Sequence, residues 1–91
     1  MDAHEASKAF AVFAEGLGKL CDKLYSATQS VPDASGLQSL IEQAHQRQRA
    51  YQELDDALTG GMKASLHSSY SSEMDEIAEY LSMLEPTEED L

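Results

Sequence analysis

The chain has 91 residues, 42% of them hydrophobic and 25% charged, with a formal net charge of −11. That length accommodates one small domain, and that apolar content is too high for a wholly disordered chain. Seventeen acids against six bases argue against nucleic-acid binding and against docking on anionic lipid, both of which are driven by Lys and Arg.

The opening residues, Met1-Asp2-Ala3-His4-Glu5, lack the basic start and apolar stretch of a secretory signal. No apolar run reaches the roughly 18 residues that span a bilayer. The single cysteine, Cys21, excludes an internal disulfide framework and fits a reducing, cytoplasmic setting. Stability must therefore come from a core. A chain this short buries only roughly 60–65% of its unfolded surface, so a homo-oligomer, dimer or higher, is expected.

The first periodic segment runs from Ala3 to about Gln29. Its apolar positions are Ala6, Phe10, Phe13, Leu17, Leu20, Leu24 and Ala27. They alternate in steps of four and three, which places them on one stripe of one helix. Ala9, Val12 and Cys21 widen the stripe, as a bundle requires. Gly16 and Gly18 fall inside it at a cost of roughly 1 kcal/mol each relative to Ala, tolerated or used for close helix approach. Pro32 then disfavours helix at Val31, and Asp33 or Ser35 is placed to cap the next helix.

A second helix is predicted over about 34–59, on Leu37, Leu40, Ile41, Ala44, Tyr51, Leu54, Ala57 and Leu58. Its stripe is broken by His45-Gln46-Arg47-Gln48-Arg49-Ala50, a polar layer of the kind that fixes register or partner choice. The short loop makes the first two helices antiparallel neighbours. Gly60-Gly61 reads as a helix stop and a hinge. Beyond it Met62, Leu66, Tyr70, Met74, Ile77, Leu81 and Leu84 keep helical spacing. The serines between 65 and 72 weaken the first half. Two forms are expected: one helix over 62–84, or a loose stretch and a firm helix from Glu73. Residues 1–85 thus form a single helical domain, and residues 86–91 an acidic C-terminal tail.

The fold class is all-α: an antiparallel helical hairpin plus a third helix, closed as a three-helix bundle or swapped into a partner chain. Charge is uneven. Residues 1–72 carry nine acids and six bases; residues 73–91 carry eight acids and no base.

No nucleophile elbow or phosphate-binding glycine loop is present. No catalytic residue and no cofactor are expected. Cys21 is flanked by Lys19, Asp22 and Lys23, a setting that admits a modestly activated thiolate, but at the edge of the stripe it reads first as a small packed hydrophobe. The residue pattern favours a non-enzymatic protein-interaction module, adaptor-like, chaperone-like or secretion-associated, that binds a partner helix between its own helices or self-associates. The contact residues expected are Val12, Tyr51, Tyr70, Met74 and Tyr80, with Glu73, Glu76 and Glu79 setting charge preference. The alternative is metal binding. Glu42 and His45 form Glu-x-x-His, and Glu15 is the mid-helix carboxylate of the first segment. In these three residues the chain resembles a reduced ferritin-like hairpin, which implies a di-metal site on dimerisation.

Overall fold

The computed structural model describes residues 2–30 and 32–85; the acidic tail, 86–91, lies outside them. The described chain is all-helical: α1 (Ala3–Ala14), α2 (Leu17–Gln29), α3 (Ala34–Ala57) and α4 (Gly60–Leu84). Asp2 opens α1, its carboxylate accepting from the Glu5 amide at 2.8 Å. Asp33 opens α3 in the same way, accepting from the Gly36 amide at 2.7 Å. Of the two caps proposed for α3, Asp33 is the one used.

The single helix expected over 3–29 is corrected to two. Glu15 leaves helical geometry at φ −59°, ψ 120°, and Gly16 takes the left-handed conformation at φ +78°. The break is invisible to periodicity, because the three-and-four spacing continues across it. Ala6 and Phe13 before the bend, and Leu17, Leu20, Leu24 and Ala27 after it, are all buried. Gly18 brings no helix close: a Cβ placed there would meet nothing within 4 Å.

The α3–α4 reversal also sits earlier than expected. Leu58 and Thr59 are extended, and Gly60, at φ +60°, already opens α4. The glycine pair therefore starts a helix instead of separating two. Leu58 is 2% exposed and anchors the turn in the core. α4 runs unbroken through its serines to Leu84, because Leu66, Ile77 and Leu81 are buried along its length. Tertiary packing outweighs the poor helix propensity of serine.

α4 packs against both α2 and α3 of its own chain, so the third helix closes on its own hairpin. The buried apolar residues form one continuous cluster. Among the described residues no polar residue is buried and no buried side-chain polar atom lacks a partner. The bundle measures 44 × 26 × 18 Å with a radius of gyration of 14.6 Å, against about 12 Å for a spherical domain of this length. No helix among the described residues is long and apolar enough to cross a membrane.

Candidate functional site

Three helical rods create three seams, and each carries different chemistry. The seam between the bent α1–α2 rod and α3 begins at Arg47, in the polar layer of α3. Its Nη1 donates to the carbonyl of Phe13 at 3.1 Å and, more weakly, to that of Val12 at 3.4 Å; its Nη2 donates to that of Glu15 at 2.7 Å. These carbonyls are left without amide partners where α1 ends. A cation at the carbonyl end of a helix is also favoured by the helix dipole. The interruption in the apolar stripe of α3 therefore lies where it meets the end of another helix.

Beside this cap, α1 and α3 border a groove of about 480 Å3, lined by Lys8, Ala9, Val12, Phe13, Arg47, Ala50, Glu53 and Leu54. Val12 is 68% exposed, the highest of any large apolar side chain described. Ala9 and Ala50 are too short to fill the space. Further along the seam, Lys19 and Lys23 stand over a smaller polar recess with Gln43, Gln46 and Arg47. Near the α2–α3 turn a third depression is walled mainly by small and polar residues, among them Ser26, Ser30 and Ser39. No α4 residue lines any of the three.

The seam between α2 and α4 is acidic and aromatic. Tyr25, 55% exposed, meets Tyr80 edge-on with ring centroids 6.5 Å apart. Cys21 is half-buried here, beside Glu73 and Glu76. Burial, and then these carboxylates and Asp22, push its thiol up. Cys21 packs on the core, and the alternative of activation by Lys19 and Lys23 fails, because residues two apart in a helix point to different faces. Both lysines face the α3 seam instead. Burial, and then Glu76 foremost among its charged neighbours, raises the Tyr80 phenol as well.

The seam between α3 and α4 is clasped by two histidines. His45 places Nδ1 3.1 Å from the Gln48 Oε1 and pairs through Nε2 with the carboxylate of Glu85. His67 donates from Nε2 to the Asp55 carboxylate at 2.5 Å, and its Nδ1 lies 3.2 Å from the Tyr51 hydroxyl. Lys63 joins Asp55 at 3.8 Å. The Tyr51 phenol is raised by burial first and then by Asp55 and Asp75. Nothing in the local sequence marked this relay, because its members come from helices joined only through the reversal at Leu58–Thr59.

Of the contact residues expected from sequence, Val12 alone lines the apolar groove. Tyr51, Tyr70, Met74 and Tyr80 are partly buried and pack on the core. Tyr70 lies 5.2 Å edge-on to Phe13 and stacks at 6.3 Å on Phe10, and Tyr51 lies 6.0 Å from Phe13. Glu73, Glu76 and Glu79 lie on α4 and do not flank Val12. Glu15, Glu42 and His45 are not brought together: no three His, Cys, Asp or Glu side chains among the described residues converge to hold an ion. Glu42 and His45 instead share a shallow recess with Gln46 and Arg49. Comparison with known family models, curated proteins and solved structures finds no match to this chain.

Proposed function

We propose that the protein is a non-enzymatic interaction module that receives a helix of another protein in the groove between α1 and α3. The observation that carries this reading is Val12, 68% exposed, over a groove whose walls Ala9 and Ala50 leave open. A solvated valine alone is ordinary. One standing above a concave floor of Phe13 and Leu54 leaves apolar surface that an amphipathic helix covers with side chains one helical turn apart.

A photo-crosslinking residue in place of Val12 tests the reading in cells. We expect it to trap a discrete segment of a partner protein, while the same residue in place of Ser68, exposed on α4, traps none. Adducts equal at both positions would refute groove docking.

Self-association is proposed separately, on the small size of the core. The net charge of −11 opposes it by repulsion that salt screens. Sedimentation should therefore show a dimer that strengthens with ionic strength; a monomer at every salt concentration would remove it.

A further inference from the structure

The charge around the groove points to the kind of helix that fills it. The chain has only six bases, and Lys8, Lys19, Lys23 and Arg47 all line the α1–α2/α3 seam. The acids lining the recesses of the same seam are Glu53 and Asp22, with Glu15 at the bend beside Arg47 and Glu42 on α3 beside Gln46. Among the described residues none of these four bases pairs with a carboxylate; the ion pairs present belong to His45, His67 and Lys63. Arg47 directs its donors to carbonyls at the end of α1, so no carboxylate pairs with it among the described residues. No acid of α4 lines either recess. In a protein of strongly negative net charge, one face therefore gathers four of the six bases beside an apolar floor.

We propose that the occupant is an amphipathic helix of another protein with glutamate or aspartate flanking its apolar face. The proposal rests on the groove reading above and adds the sign of the partner's charge. That sign is opposite to the one the sequence alone favoured through Glu73, Glu76 and Glu79. The apolar face supplies two or three side chains over Ala9, Val12 and Ala50. The flanking carboxylates meet Lys8 and Arg47 at the groove, and Lys19 and Lys23 in the recess on the far side of Arg47. Complementary charge at a rim sets specificity and encounter rate more than total affinity.

The test uses the full chain and two synthetic helices of about 18 residues that share one leucine face, one flanked by glutamates and the other by lysines. Binding is read by fluorescence anisotropy at low and moderate salt. The glutamate helix should bind about tenfold tighter, the sum of several exposed charge pairs, with the advantage shrinking as salt rises. Lys8→Glu combined with Lys19→Glu should reverse the preference; Arg47 is left intact because it caps α1. Val12→Asn should weaken both helices without reversing their order. A lysine helix that binds equally well or better, and loses affinity in Val12→Asn, would overturn the acidic occupant while groove docking stands. Failure of both helices to bind, or indifference of both to Val12→Asn, would overturn the two readings together. Sedimentation of the chain alone that shows a dimer broken by Val12→Asn would assign the groove to a second copy and equally overturn the proposal.

Discussion

Arg47 shows how much one side chain in the polar layer carries. Its fork serves three carbonyls at the end of α1, and hydrogen bonds from a charged donor contribute about 1.5–3 kcal/mol in favourable cases. Because Arg47 is partly exposed, the lower part of that range applies. Arg47→Met, which keeps the length of the stem, should lower unfolding stability by about 1–2 kcal/mol in urea titration. Arg47→Lys should recover less than half, since an ammonium is a point charge without the planar fork. A neutral result for Arg47→Met would mean that water caps α1 equally well. At Cys21 the consequence concerns pH. A thiol raised in the folded protein ionises first in the unfolded chain. Stability therefore falls as pH rises above the unfolded thiol's value of about 8.5, and keeps falling until the folded thiol titrates. Tyr51 and Tyr80, also raised, extend the decline beyond about pH 10. Urea midpoints from pH 7 to 10 should show this slope, and Cys21→Ser should flatten its first part. Alkylation of Cys21 at pH 8 should run slower in the native protein than in urea.

The elements differ in how openly their sequence announced them. Three helical rods were legible, because three-and-four spacing of apolar residues has no other economical solution. The bend at Glu15–Gly16 was not, because the stripe Phe13, Leu17, Leu20 is the same on either side of it. The two glycines nearby are nonetheless distinguishable once the backbone is known. Gly16 is left-handed, where a Cβ costs roughly 1–2 kcal/mol; Gly18 is helical with open space around its Cβ position. Gly16→Ala should therefore destabilise the fold by about 1–2 kcal/mol, while Gly18→Ala should stabilise it by up to about 1 kcal/mol. Equal effects in thermal unfolding would contradict the bend. The start of α4 was misplaced for a related reason. A glycine pair marks a region of backbone freedom, and whether that freedom ends one helix or begins the next depends on where Leu58 is drawn into the core.

At the scale of the whole molecule, one core and three unlike seams result from laying α4 against both other rods. Leu66 and Ile77, fully buried, tie α4 to that core. Leu66→Ala should cost about 2–5 kcal/mol, seen as a lowered midpoint in urea. Val12→Asn, at a solvated position, should stay within about 0.5 kcal/mol while weakening binding. Stability and recognition are thus separable by mutation, and loss of both in Val12→Asn would show that the valine is structural.

What the sequence determined by itself was the helical class, the stripe that becomes the core and a cap for α3 at Asp33 or Ser35, since each is a property of neighbours within a few residues along one rod. Tertiary structure alone decided which polar groups meet. Arg47 reaches the end of α1, His67 joins Asp55 to Tyr51, Cys21 turns to the glutamates of α4 and the lysines turn away from it. Those pairings depend on how rods are rotated about their axes when packed, and spacing along a single helix carries no information about the face its neighbour presents.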